Sequence, residues 1–279
     1  MSKYYYLIAG LPELTLEDNK LNYTVQSFRT ELYPELSKKD RQIIDLVYLK
    51  FDNSNLLALL DNKEAQLKEL GVYSKDQLLD LIDTVKYGEE QAKGFAPYLV
   101  TFVEKYFAEE FDDQDILENT LTGMYYDYAS KSKNNFVRSW FQYNKVINNL
   151  LVAFTCREYK IDYQNQIIGD DEISRQIRHS SARDFGLSTT LDFINQLIRI
   201  TDESDWVQRE KRIDQMRWNW IEEQTFFDYF TIERVFVFLL QVQMIERWLT
   251  LDKEEGNKYF REIINSFKND VQIPVEFRQ

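Results

Sequence analysis

The segment IDLVYLKFDNSNLLALL, residues 44–60, carries the clearest structural pattern in this chain. Its apolar residues recur at the i, i+3, i+4 and i+7 positions of one helix face: Ile44, Val47, Tyr48 and Phe51. Asn55 falls on the same stripe, and a buried asparagine needs hydrogen-bond partners, which Asp52 or a neighbouring backbone group would supply. We therefore predict a long amphipathic helix whose register Asn55 fixes. The alternative role for Asn55 is a polar group in an interface.

Helical patterns recur along the rest of the chain. Ser74 and Gln77 form a capping box before an apolar stripe, and residues 136–156 are apolar on two faces, which predicts a central helix. Residues 235–249 predict another buried helix, and residues 260–267 a last amphipathic one.

The 279 residues include 8 Gly and 4 Pro, whereas an average chain of this length holds roughly 20 Gly and about 14 Pro. So few turn formers predict an all-α fold.

The composition excludes several classes of function. Acidic residues outnumber basic ones by 47 to 34, and no basic stripe with interleaved aromatics offsets the net charge of −13, so nucleic acid is not an expected partner. One Cys and one His cannot build a Cys/His zinc site or the Glu-x-x-His pairs of a di-iron bundle. Cys156, within an apolar helix, is expected to be a buried structural thiol.

The expected location follows from hydropathy. No segment approaches the ~20 apolar residues that span a bilayer. The start, MSKYYYLIAGLP, is followed by acidic residues and has no convincing cleavage site for a leader peptide. We therefore expect a cytoplasmic protein.

A weak internal repeat appears when Asn55 is aligned with Asn149. NLLALL, residues 55–60, then matches NLLVAF, residues 149–154. Residues 235–249 would be a degenerate third copy, and chance similarity between apolar helices is the alternative explanation. With acidic loops at 109–115 and 169–172 as connections, we predict two or three helical bundles spanning residues 1–112, 113–205 and 206–279, or one compact unit.

No catalytic, cofactor-binding or metal-binding residue is predicted. The chain lacks a phosphate-binding loop, and the kinase-like tripeptide DFG at 184–186 lacks the other kinase motifs, so it is expected to be a turn. Neighbouring acids on a helix point about 100° apart and do not converge on one ligand by themselves. A glycosidase-like pair of carboxylates in a cleft stays open as an alternative.

One modest basic cluster contains Arg175, Arg178, His179 and Arg183. We consider Arg175, Arg178 and Arg183 as candidate contacts for an acidic partner. The competing interpretation is a solvated loop, because charged runs usually face solvent.

The order of several segments resembles an uncharacterised bacterial family encoded within V-type ATPase operons. The segments are YYLIAGLP (5–12), DNSNLL (52–57), NNLLVAFTCR (148–157), DFGL (184–187), RW (217–218), YFTIE (229–233) and RWLTLD (247–252). More distantly, the chain resembles the funnel-shaped central-stalk subunit of V/A-type ATPases, the d subunit in eukaryotes, which has three similar helical bundles. The positions that this resemblance marks as structural or interface positions are Asp52, Asn55, Leu56, Asn149, Leu150, Arg247 and Trp248. The resemblance implies an Asp-x-x-Asn-Leu-like segment on the central helix of each bundle. Asp52, Asn55 and Leu56 match this segment, whereas Val146 stands where its second copy would have the aspartate.

The resemblance implies a function without catalysis. It points to a socket between the central shaft subunits of a V-type ATPase and its membrane rotor ring, used in rotary coupling and ion transport. The chain would then lie at the cytoplasmic face of the inner membrane, held there by protein partners. The alternatives are a stand-alone helical enzyme or ligand-binding protein with a carboxylate-lined cleft, and an assembly factor for the same ATPase.

Overall fold

The computed structural model describes residues 4–18, 20–88, 92–111 and 116–250. Regular structure in these ranges is helical throughout, which confirms the predicted all-α fold. The α-helices are α1 (Tyr5–Ala9), α2 (Val25–Ser27), α3 (Lys38–Asp61), α4 (Lys75–Tyr87), α5 (Pro97–Phe107), α6 (Leu117–Ala129), α7 (Asn135–Tyr159), α8 (Glu172–His179), α9 (Ile194–Thr201), α10 (Trp206–Gln224) and α11 (Ile232–Thr250). None of these helices is both long and apolar enough to cross a lipid bilayer.

The predicted first long helix is α3, and it is buried more widely than one amphipathic face. Ser37 caps its start by accepting a hydrogen bond from the Asp40 N–H at 3.3 Å. Leu46 and Leu49, off the predicted stripe, are buried as well, whereas Phe51 is only half-buried. The reason is that α3 packs against α4, α6 and α11 rather than against a single neighbour. Each fully buried apolar side chain of this size stabilises the fold by about 1.5–3 kcal/mol.

The other predicted helices form as expected within the described residues. Ser74 and Gln77 make both hydrogen bonds of the capping box at the start of α4. Helix α7 buries apolar side chains on two faces, and the ring of Tyr143 stacks on Trp220 of α10 with centroids 4.5 Å apart. Residues 235–242 of α11 are all buried. The predicted last helix, at 260–267, lies outside the described residues.

Buried apolar side chains from Tyr4 to Ile245 form one continuous core. This core includes residues from all three of the predicted segments. The acidic segment 169–172 leads into α8, for which Asp171 is the capping residue. Cys156 is buried, as predicted, and burial raises the pKa of its thiol.

Candidate functional site

A polar cavity lies between the long helices. Its volume is about 400 Å³, and its walls come from α3, α6, α7, α10 and α11. The three most extensively buried helices, α3, α7 and α11, all contribute to it. Aromatic rings such as Trp140 and Phe141 form its apolar side.

Cations from three different helices line this cavity. They are Lys50 on α3, Arg217 on α10 and Arg247 on α11. The carboxylates of the lining are Asp214, which is 2% exposed, and Glu118, which is exposed to solvent. In a chain with a net charge of −13, the lining of this cavity thus has one more cation than it has carboxylates.

Asp214 is the hub of the hydrogen bonds beside the cavity. Its Oδ2 atom accepts from the Arg247 guanidinium and, at 2.9 Å, from Trp248 Nε1. Its Oδ1 atom accepts from Arg217 Nη1 at 3.3 Å. Burial lowers the pKa of Arg247, but the nearby Asp214 and Glu210 outweigh it, and the pKa is raised. Two guanidinium groups are thus held over one buried carboxylate.

A chain of hydrogen bonds continues from Arg217 across the cavity. Arg217 Nη2 donates to Asn148 Oδ1 at 2.8 Å, and Asn148 Nδ2 donates to the Tyr126 hydroxyl at 2.9 Å. Three other buried atoms of the lining have no hydrogen-bond partner in the described part of the chain: Arg217 Nε, Asn144 Oδ1 and Gln243 Nε2. A buried polar atom without a partner costs about 1–3 kcal/mol, and neighbouring protein atoms cover all three.

Lys50 reaches the cavity from α3, and its Nζ donates to Gln243 Oε1 at 3.2 Å. The residue keeps access to solvent, but desolvation of the ammonium lowers the pKa of Lys50 to about 8, and repulsion from Arg247, Arg217 and Lys68 acts in the same direction. The amine is therefore charged in most molecules at neutral pH and titrates just above it.

Asn55 holds the loop that follows α3. Its side chain accepts from the Lys68 N–H at 2.8 Å and donates to the Lys68 carbonyl at 3.0 Å. Arg29 donates to two carbonyls nearby in the same loop, those of Glu69 at 3.4 Å and Gly71 at 2.6 Å. We call this arrangement, Asn55 with Arg29 on the loop backbone, the first loop clamp. Of the two partners expected for Asn55, Asp52 or a backbone group, the structure shows a backbone group, that of Lys68.

Asp52 fastens the end of the same loop to α3. Its carboxylate accepts from the Val72 N–H at 2.8 Å and the Tyr73 N–H at 3.0 Å, immediately before α4. Burial raises the pKa of Asp52 to about 6, although the two N–H groups oppose this shift.

Asn149 holds the loop after α7 with the same geometry. It accepts from the Ile168 N–H at 2.9 Å and donates to the Ile168 carbonyl at 2.8 Å. Arg178 donates to the carbonyls on either side, those of Ile167 at 2.8 Å and Gly169 at 2.5 Å. This is the second loop clamp. In each clamp, one loop is thus held by an asparagine on a long central helix and by an arginine from another part of the chain.

The two clamps differ where the sequence has Val146 in place of an aspartate. Val146 is buried, and the carboxylate comes instead from the loop, where Asp171 accepts from Lys145 Nζ at 2.7 Å. Burial alone would raise the pKa of Asp171, but hydrogen bonds from Lys145 and Ser174 lower it to about 2. The Lys145–Asp171 ion pair thus connects α7 to its loop, whereas Asp52 connects α3 to its loop.

Replacing Gly71 with alanine is expected to damage the first loop clamp. A Cβ atom at this position would lie 2.6 Å from Asp52 Oδ1 and 3.2 Å from Asn55 Nδ2. Such overpacking costs about 1–3 kcal/mol in the free energy of unfolding, measurable by urea denaturation. The matched control is Gly10→Ala, where the nearest atom is 3.6 Å away and a change within about 0.5 kcal/mol is expected. Equal stability of the two variants would contradict the tight packing described.

The predicted site residues separate into two groups. Asp52, Asn55 and Asn149 hold loops, with Leu56 and Leu150 fully buried beside them. Arg247 and Trp248 instead meet at Asp214, next to the cavity.

The three arginines that were considered as partner contacts lie in different environments. Arg178 is engaged with the loop backbone in the second clamp. Arg183 is exposed and pairs with Asp202 at 2.6 Å, while Arg175 and His179 are exposed on α8. Only Arg175 and Arg183 of the three arginines are therefore presented to solvent.

Sequence reasoning missed Lys50 and Asp214. Lys50 interrupts the apolar run VYLKF, which was an available signal. Asp214 lies in the polar stretch of α10 and had no such signal, because its partners Arg247 and Trp248 lie on another helix, α11. No cluster of three or more His, Cys, Asp or Glu side chains able to hold a metal ion occurs in the ranges that the structure describes.

Comparison with known proteins identifies a family but no characterised relative. No curated protein and no solved structure matches the chain. A family model described as "Protein of unknown function (DUF2764)" matches residues 1–271, nearly the whole sequence. The chain therefore belongs to the DUF2764 family.

Proposed function

We propose that this protein is a noncatalytic coupling subunit of a bacterial V-type ATPase, acting as a socket between the central shaft and the membrane rotor ring. The observation that carries the proposal is the pair of loop clamps on α3 and α7, two long helices that also line one common cavity. Repeated helical units around a hollow are what the resemblance to the d subunit implies.

The clamps support a repeat in the chain. In each copy a long helix is followed by a loop held through the N–H and C=O of one residue, and then by a capped helix, α4 or α8. Chance similarity of apolar helices would not require the two asparagines to make the same pair of hydrogen bonds. Helix α11 would belong to a third, degenerate unit, because it is the remaining long buried helix at the cavity.

A part that transmits torque needs rigidity more than reactivity. The pinned loops supply it here, because each clamp removes the freedom of a connection that would otherwise flex. The aromatic contacts between α7 and α10 add close packing at the centre. The net charge of −13 would favour encounter with basic surfaces on shaft or ring subunits. The protein would then sit peripherally at the cytoplasmic face of the inner membrane.

Copurification tests this proposal. A chromosomally tagged copy, isolated from gently solubilised membranes of its own host, is expected to retain the shaft and ring subunits of the ATPase. Isolation of the tagged chain without any ATPase subunit would contradict it. Recovery from partly assembled complexes alone would instead identify an assembly factor.

The enzyme alternative receives less support. Its cleft was expected to be lined by carboxylates, whereas cations outnumber carboxylates in the cavity that the described residues form. This lining suits the binding of an anion better than acid–base catalysis by paired acids.

A further inference from the structure

We propose that the cavity between α3, α6, α7, α10 and α11 binds a small organic anion that carries at least two carboxylate or phosphate groups. The inference goes beyond the coupling role and does not depend on it. It rests on the charges, the hydrogen-bond donors and the size of the cavity.

The charge balance favours a multiply charged anion. Lys50, Arg217 and Arg247 face the cavity, and only one carboxylate of its lining, Asp214, is buried. Glu118 lies at the exposed rim, where solvent screens it. Glu210 contacts Arg247 at 3.3 Å, and its side chain is 42% exposed. Lys50 is exposed as well. Among the described residues, the lining has three cations and two carboxylates, which is one positive charge in excess.

The cations of the lining supply the hydrogen bonds that such a ligand needs. The Lys50 ammonium and the guanidinium groups of Arg217 and Arg247 are charged donors, which suit carboxylate or phosphate oxygens. Gln243 accepts from Lys50, so the amide would hold the ammonium in place beside the anion.

The size of the cavity selects a small molecule. About 400 Å³ falls in the range of pockets for small ligands, ≈ 300–1,000 Å³, and is too small for a folded protein segment. Trp140 and Phe141 provide apolar walls for a carbon skeleton.

The pH dependence of binding follows from Lys50. Desolvation and the neighbouring Arg247, Arg217 and Lys68 hold its pKa at about 8. The phenols of Tyr125 and Tyr126 on α6 stay neutral there, because burial raises the pKa of both. Raising the pH from 7 to 9 removes the charge of Lys50 and is therefore expected to weaken anion binding.

The test is isothermal titration calorimetry of the purified full chain with citrate and with inorganic pyrophosphate, using glycerol as the uncharged probe. At least one of the two anions is expected to bind and glycerol is not. Lys50→Met keeps most of the apolar stem and is expected to weaken binding about tenfold or more, the loss from one charge-assisted contact. Lys39→Met, an exposed position on the same helix, is the matched control and should bind as the native chain does.

A second variant distinguishes charge from folding. Lys50→Arg keeps a positive charge that does not titrate below about pH 12, so it should bind the anion with little change between pH 7 and pH 9. Absence of binding by both anions, or equal binding by the native chain and Lys50→Met, would overturn the proposal. Binding of a glutamate-rich peptide in place of both anions would also overturn it. Each result is independent of whether the protein joins an ATPase.

Discussion

Replacing Asp214 with alanine is expected to lower the free energy of unfolding by about 3–5 kcal/mol, the range for breaking a buried ion pair from one side. The carboxylate is 2% exposed and accepts hydrogen bonds from Arg217, Arg247 and Trp248. Without it, two guanidinium groups would face each other without a buried counter-ion. Guanidinium-induced unfolding followed by circular dichroism measures the change.

The control for this variant lies on the same helix. Glu223 is an exposed acid of α10, and Glu223→Ala is expected to change stability by no more than about 0.5 kcal/mol. A loss of less than about 1 kcal/mol in Asp214→Ala would show that α10 and α11 are not joined through this carboxylate.

The second large effect is expected at the two loop clamps. Asn55→Ala and Asn149→Ala each leave an N–H and a carbonyl of the loop without their side-chain partners. We expect each to lower the free energy of unfolding by about 1–3 kcal/mol, since each removes two part-buried hydrogen bonds that are worth about 0.5–1.5 kcal/mol apiece. Asn149 also donates to Ser174 Oγ at 3.3 Å, so its replacement should be the more costly.

Hydrogen exchange locates the effect of these variants. Amides of the loop after α3 should lose protection in Asn55→Ala, and amides of the loop after α7 in Asn149→Ala. Asn219→Ala, at an exposed position of α10, should leave both loops protected. If either clamp variant unfolded at the same denaturant concentration as the native protein, the shared role of the two asparagines would be refuted.

The helices were predictable because their signals are local. The spacing of Ile44, Val47 and Tyr48 reports which residues share a helix face, and the Ser74–Gln77 capping box is a short-range motif. Burial of Asn55 followed from its place on the apolar stripe. These inferences need no knowledge of what packs against the helix.

The contacts of those helices were not predictable in the same way. Asn55 and Asn149 bind the backbone of Lys68 and Ile168, and backbone groups are the same in every residue, so no side-chain pattern marks the partner. Arg178 belongs to a basic cluster in the sequence, yet the fold turns it onto loop carbonyls.

The cavity, too, could not be predicted from local sequence patterns. Asp214 lies in a polar stretch that resembles a solvated helix face, and its partners Arg247 and Trp248 on α11 are 33 and 34 residues further along the chain. Lys50, Arg217 and Arg247 come from three helices, and only the tertiary arrangement brings them to one site. The family resemblance pointed to Arg247 and Trp248, but no sequence pattern indicated that both donate to the Asp214 carboxylate.

The most direct test of the coupling role is the ratio of ions transported to ATP hydrolysed by membrane vesicles of the host, with and without this protein. The proposed role predicts that vesicles from a deletion strain still hydrolyse ATP but transport few ions, and that the native gene restores transport. Unchanged transport per ATP in the deletion strain would contradict that role.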